Sequence, residues 1–209
     1  MIIKTFANNL LQVNTYFLIE DNKCLIIDPG SNFKKINEII MEENLHVEGV
    51  VLTHAHFDHF LSCNELFYHY NIPLYVHHKG LELLYDPEKN VSAFIPYMKK
   101  LILDKNVLVT TINEETKEIA GFKLKVFHVP GHSPDGICLY FKEDKVVFSG
   151  DALFKLSIGR SDFYLGDEKQ LITNIKNKLF SLPDDTTVYP GHGPTTTIGY
   201  EKKNNLYIK

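Results

Sequence analysis

His54-Ala55-His56-Phe57-Asp58-His59 places three imidazoles and a carboxylate within six positions of a chain that has ten histidines in 209 residues. A solvated loop is built from Lys, Glu, Ser and Asn, so this density points to chemistry. The apolar run Gly49 to Thr53 before it reads as a buried strand. If the extension persists past Thr53, His54 and His56, two residues apart, project to one side and can grip one metal ion. Asp58 and His59 then face elsewhere and suit a second ion.

Three later segments repeat the design of an apolar run that delivers a metal-competent side chain just past its end. Leu124 to Val129 precedes Pro130-Gly131-His132, Val146 to Ser149 precedes Gly150-Asp151, and Thr187 to Pro190 precedes Gly191-His192. Loops on one rim of a rigid sheet are a natural place for a site. Two Zn²⁺-like ions wanting about four ligands each are nearly saturated by His54, His56, Asp58, His59, His132 and His192, with Asp151 shared and one solvent oxygen bridging. Asp28, ending another apolar run, either fixes this loop by accepting hydrogen bonds or belongs to a plain Asp-Pro-Gly turn. His46, His69, His77, His78 and His128 join no such constellation and read as surface or core residues.

Further out, the chain is β-rich at both ends. Met1 to Phe6, Val13 to Glu20, Lys23 to Asp28, Gly49 to Thr53 and Pro73 to His77 read as strands, as do Val107 to Thr111, Phe122 to Val129, Gly136 to Phe141, Lys145 to Ser149 and Thr187 to Tyr189. Helices are expected from Ser31 or Asn32 to about Leu45, His59 to Tyr70, Lys79 to Leu103, Asp167 to Leu182, and at the C-terminus. Strands in two clusters with helices between them predict two sheets packed together with helices outside, in one domain spanning residues 1–209. A hydrophobic content of 44% and a charged content of 23% describe an ordinary folded chain. A net charge of −4 with scattered basic pairs excludes a phosphate-tracking stripe, hence a nucleic-acid partner. Cys24, Cys63 and Cys138 are too widely spaced for a C-x-x-C motif and read as reduced thiols. No long apolar run is present, so the expectation is a cytoplasmic protein without a membrane span.

The H-x-H-x-D-H run with its downstream Gly-His, Gly-Asp and Gly-His resembles the metallo-β-lactamase fold superfamily over nearly the whole chain. The resemblance implies an α/β fold, the αβ/βα sandwich of two mixed sheets flanked by helices, with a metal site on one edge. More narrowly, Ser149 to Phe154, Gly159-Arg160-Ser161-Asp162-Phe163 and Tyr189 to Gly199 are similar to the short, single-domain glyoxalase II-like hydrolases (hydroxyacylglutathione hydrolase-like). That implies hydrolysis of a small-molecule thioester by a metal-bridging hydroxide, on two divalent ions that are Zn first, with Fe or Mn as alternatives. Asp58 and Asp151 then belong to the catalytic centre. Arg160 lies where such enzymes meet a carboxylate of the thiol carrier, or else forms a salt bridge with Asp162. Phe60-Leu61-Ser62 departs from the two glycines that usually follow the first motif. Asp135-Gly136 resembles persulfide dioxygenases of the same fold, which use one Fe²⁺; here His54 or His56 with His132 and Asp151 would hold it. Nothing in the sequence bears on oligomeric state.

Overall fold

In the computed structural model, which describes residues 1–7 and 12–208, the first sheet has six strands in sequence order. β1 (Ile2–Ala7), β2 (Asn14–Glu20) and β3 (Lys23–Ile27) are antiparallel, while β4 (His46–Val51), β5 (Leu74–His77) and β6 (Val109–Ile112) continue the sheet in parallel with β3. A small hairpin, β7 (Glu118–Ile119) and β8 (Phe122–Lys123), leads to the second sheet. That sheet contains β9 (Lys125–His128), β10 (Ile137–Phe141) and β11 (Val146–Gly150). After a second hairpin, β12 (Leu153–Phe154) and β13 (Ser157–Ile158), it is completed by β14 (Thr187–Pro190) and β15 (Thr196–Thr197) in the order β15-β14-β11-β10-β9.

Period-two alternation in these strands sorts their side chains into three apolar layers. Phe17, Ile19, Cys24 and Ile26 face Ile36 and Ile40 of helix α1 (Phe33–Glu42) and Leu66 of α2 (Cys63–Tyr70). The intervening residues Tyr16, Leu18, Leu25 and Ile27 point the other way, against Val126, Leu139 and Phe148 of the second sheet. The opposite face of that sheet, Cys138, Tyr140 and Val147, packs under Leu171 and Ile175 and under Ile198 of the C-terminal helix. Helix, sheet, sheet, helix is therefore the layer order, the expected αβ/βα sandwich. The three cysteines are free and buried within these layers. Among the described residues no helix is long and apolar enough to cross a membrane.

The expected helix over Lys79 to Leu103 does not form. A short α3 (Leu81–Tyr85) stops at Asp86-Pro87. Proline clashes with a preceding helical turn, and the Asp86 carboxylate draws Glu88 N (3.0 Å) and Lys89 N (3.4 Å) into an Asx turn. Irregular chain follows, apart from one 3-10 turn at Ser92–Phe94. Likewise the helix expected from His59 begins at Cys63, because Phe57–His59 winds into a separate 3-10 turn.

Phe148 sits at the centre of the inter-sheet layer, with ring centroids 5.0 Å from Tyr16, 5.1 Å from Tyr189 and 5.7 Å from Phe141. Phe148→Ala is expected to lower the unfolding free energy by about 3–5 kcal/mol, measurable as a fall in the urea midpoint at unchanged m-value.

Candidate metal centre

All the strand ends that carry candidate ligands open on one rim. β4 runs into Thr53 and His54, β9 into the loop ending at His132, β11 into Asp151 and β14 into His192. The two sheets are tied together there by Ile137 N donating to Thr53 O at 2.8 Å. Gly150 (φ 50°) lies against Thr53, and Gly191 against Asp151 and His59, so closely that a Cβ at either position would overlap them.

Three ring nitrogens converge: His54 Nε2 is 3.1 Å from His56 Nδ1, and His132 Nε2 is 3.2 Å from the former and 3.0 Å from the latter. The tautomers of His132 and His54 follow from their outer partners. His132 Nδ1 faces the Arg160 carbonyl at 2.7 Å, an acceptor only, so the proton sits on Nδ1 and Nε2 is a bare lone pair. Thr53 Oγ1 donates to Asp28 Oδ2 at 2.6 Å and lies 3.2 Å from His54 Nδ1. It therefore accepts from His54 Nδ1, which leaves His54 Nε2 bare as well. Two lone pairs thus face each other at 3.2 Å, a repulsion that a shared cation turns into attraction. Their spacing fits ligand atoms about 2.0–2.1 Å from one such ion. Burial, reinforced by neighbouring histidines, holds His54 and His56 well below the usual imidazole range. Both are therefore neutral and ready to ligate.

The second group is more acidic. His192 Nε2 lies 3.5 Å from Asp58 Oδ2, and His59 Nε2 lies 4.0 Å from the same oxygen. Burial opposes charge on His59, yet the Asp28, Asp151 and Asp58 carboxylates raise its imidazole to about 10. Burial also opposes ionisation of Asp58, but His59 and His192 hold its carboxyl below the usual range. This position stabilises positive charge. His59 Nε2 and Asp151 Oδ1 are buried without a hydrogen-bond partner, as vacant ligand atoms would be. Asp151 lies between the groups: its Oδ2 is 3.5 Å from both His132 Nε2 and His192 Nε2, and its Oδ1 is 3.5 Å from His59 Nε2. All seven side chains singled out in the sequence thus meet in one cluster, whose donor set suits divalent cations.

Buried polar groups hold the cluster in place. Asp28 (φ 50°) accepts from Thr53 N at 2.8 Å as well as from its hydroxyl, and its Oδ2 approaches His59 Nδ1 at 3.0 Å, too bent for a hydrogen bond but close enough for charge attraction. Asp135, fully buried, is a prop that sequence reasoning missed. Its Oδ2 accepts from Ala55 N at 2.8 Å, between the paired histidines, and its Oδ1 accepts from Ser133 Oγ. Pro-Asp-Gly reads locally as a turn, and only the flanking apolar strand hinted that this Asp is buried. Arg160 lies at the mouth of a 480 Å³ cavity over the cluster, with its fork on Asp162 at 2.7 and 2.6 Å. His77 and His128, at the ends of β5 and β9, stack on each other outside the cluster, with centroids 4.1 Å apart.

Residues 8–192 match the Metallo-beta-lactamase superfamily. Among curated proteins, "Probable metallo-hydrolase YqgX" of Bacillus subtilis is 38% identical over 95% of this chain and 93% of its own length. Hydroxyacylglutathione hydrolase GloC of Haemophilus influenzae is 33% identical over 100% of this chain and 98% of its own. Two crystal structures superpose closely. The B3 metallo-beta-lactamase BLEG-1 has a TM-score of 0.92 and 37% identity, with both chains fully covered. TTHA1623, in a di-iron-bound form, has a TM-score of 0.85 and 34% identity over 99% of this chain and 100% of its own.

Burial raises the Asp135 carboxyl to about 6, above the roughly 3.9 of an unfolded chain. The stability this contributes is fully present below about pH 3.9 and is lost as pH rises through about 6, up to a magnitude on the order of 3 kcal/mol. Asp135→Asn keeps an acceptor for Ala55 N and removes the titration. The Tm of this variant minus that of the wild type is therefore expected to grow between pH 5 and 7.5.

Proposed function

The chain belongs to the metallo-beta-lactamase superfamily, and from that premise we propose that it hydrolyses small thioesters using two divalent cations. The observation that carries the reading is Asp151, whose Oδ2 stands 3.5 Å from a histidine of each ligand group. One carboxylate placed so is a natural bridge between two ions. His54, His56 and His132 would hold one ion and Asp58, His59 and His192 the other, with Asp151 within reach of both. GloC, a hydroxyacylglutathione hydrolase by name, supports the substrate class. Zn²⁺ suits these nitrogen and carboxylate donors, and the di-iron form of TTHA1623 makes iron the first alternative.

When bound, the cations supply Lewis acidity, lowering the pKa of water towards neutrality and polarising the thioester carbonyl. The chain's own groups do the rest. Asp58 and Asp151 contribute two negative charges against four positive ones, leaving the centre cationic and able to stabilise a developing oxyanion. A thiol, with a pKa near 8.5, leaves as thiolate without a strong general acid. Phe163 covers the first group, its ring 5.0 Å from His56 and 5.5 Å from His132, and so screens the imidazoles from water. Arg160 is the cation among the cavity-lining side chains. A carboxylate on the thiol carrier exchanges with Asp162 for its guanidinium, whose planar fork suits that contact.

Asp151→Ala is expected to abolish turnover and to lower total bound metal more than any other single ligand change, as elemental analysis of purified protein would measure. Retention of two ions would remove the bridge. One iron per chain, with sulfite formed from a persulfide and no thioester turnover, would assign a persulfide dioxygenase instead. Turnover of a chromogenic β-lactam alone would assign a lactamase.

A separate expectation concerns Arg160→Ala. Because Arg160 is exposed and its pairing is screened, KM for carboxylate-bearing thioesters should rise about tenfold with kcat nearly unchanged, and Lys should restore part of the loss. Equal losses in kcat on substrates with and without the carboxylate would make Arg160 structural.

A further inference from the structure

The irregular segment that replaces the expected helix forms one wall of the cavity. Its hub is Asn90, fully buried, whose Nδ2 donates to Leu83 O and Leu101 O at 3.0 Å each, while its Oδ1 accepts from Ser92 N at 3.0 Å. Its carbonyl accepts from Phe57 N at 2.9 Å, joining the wall to the H-x-H-x-D-H turn. Ser92, buried as well, accepts from Leu101 N at 3.0 Å. Between these two pinned residues Val91 is forced into the left-handed region at φ 73°, ψ −10°. That conformation is a true outlier for a β-branched side chain and persists only where the surroundings over-determine it. Glycine would sit there without strain, whereas the valine side chain, like that of Ile95, packs on one side against the first core layer.

It touches the cavity. Val91 and Ile95 line the 480 Å³ space together with Phe57, Phe154, Ile158 and Phe163. Apart from the candidate ligands, the polar lining is Ser157 and Arg160. The apolar walls reach both ligand groups, with Phe163 beside His56 and His132 and Phe154 6.1 Å from His192. Tyr164, beside Phe163, donates its hydroxyl to Glu82 at 3.3 Å and lies under Lys89 Nζ, 4.9 Å from the ring centroid. These contacts tie the two walls together.

We propose that the strained Val91, with Ile95, forms an acyl-selecting wall, so that the site takes thioesters whose acyl group is apolar, uncharged and several carbons long. The inference rests on the thioesterase reading above for its reaction, but not for its binding. An uncharged chain gains contact with every added methylene against such a wall, whereas a charged or heavily hydroxylated acyl group loses water there without a partner. Arg160 remains at the mouth for the thiol end.

The test uses metal-loaded protein and two readouts. Hydrolysis of acetyl, butyryl, hexanoyl and octanoyl thioesters of one thiol should show kcat/KM rising about threefold to fourfold per methylene. Calorimetric binding of the matching carboxylic acids, which needs no turnover, should show Kd falling with the same slope. Val91→Gly, which relieves the strained φ but removes packing against the first core layer, should change Tm little, weaken octanoate binding and octanoyl turnover about tenfold, and leave the acetyl compounds unaffected. Val91→Asn, which tolerates the same backbone but places an amide on the wall, should show the same selective loss. A flat chain-length profile in both readouts, or equal losses on acetyl and octanoyl compounds with a lowered Tm, would overturn the proposal and make Val91 a packing residue. Chain-length-dependent binding that Val91→Gly abolishes, without turnover of any thioester, would keep the wall and reject the thioesterase reading.

Discussion

Two imidazole lone pairs, on His54 Nε2 and His132 Nε2, face each other at 3.2 Å in a buried pocket, and much of the surrounding structure serves to make that arrangement tolerable. The protons of these two rings are fixed on their far nitrogens by the Arg160 carbonyl and the Thr53 hydroxyl. Thr53 is oriented in turn by Asp28, so a carboxylate two hydrogen bonds removed from His54 decides which of its nitrogens is bare. The glycines at 150 and 191 are needed because the loops carrying Asp151 and His192 must approach this centre more closely than a side chain permits. An interior built this way leaves buried ligand atoms such as His59 Nε2 and Asp151 Oδ1 without hydrogen bonds, and a divalent cation is the simplest species that would satisfy them together.

The ligand cluster was legible in the sequence because its signal is compositional. Imidazoles crowded at i, i+2 and i+5 around an aspartate have few other uses, and each remaining ligand follows an apolar run and a glycine. The sandwich was legible for a related reason, since alternation along β2 and β3 commits one face to the helices and the other to the second sheet. Polar residues whose role depends on tertiary neighbours were not legible. Asp135 and Asn90 are fully buried, yet Pro-Asp-Gly and Lys-Asn-Val read locally as solvated turns. The apolar periodicity over 79–103 suggested a helix, but those side chains reach the first core layer from irregular backbone, stopped at Pro87 and held by Asn90. Arg160 and Asp162 left two readings open, and their bidentate contact makes the ion pair concrete without removing the guanidinium from the cavity mouth.

The opposite side of the cavity follows the same construction. Leu156, at φ 60°, turns the β12–β13 hairpin that presents Phe154, Ser157 and Ile158. Its amide donates at 2.9 Å to Glu201, a buried carboxylate that also accepts from Asn205 Nδ2 at 2.9 Å and Thr196 Oγ1 at 2.6 Å. One wall is irregular backbone and the other a two-stranded hairpin, and each is anchored by a buried polar residue. Such anchors fix a loop without lengthening a strand or helix, leaving the loop's outward side chains free to vary with the substrate.

The Asn14 contacts to the last ligand loop carry a consequence in time. Asn14 N donates to Gly191 O at 2.7 Å and its side chain to Pro190 O and Gly193 O at 3.0 and 2.8 Å, while Val13 bridges to His192. The last of the seven side chains is therefore seated by a segment synthesised well before it. At translation speeds of about 5–20 residues per second, roughly 7–27 s separate the emergence of His59 from that of His192. Over that interval the nascent chain carries an incomplete cluster, to which His132, Asp151 and His192 are added in turn. The complete set of seven side chains is thus a late product of synthesis, assembled only when the segment at Asn14 has met the loop at His192.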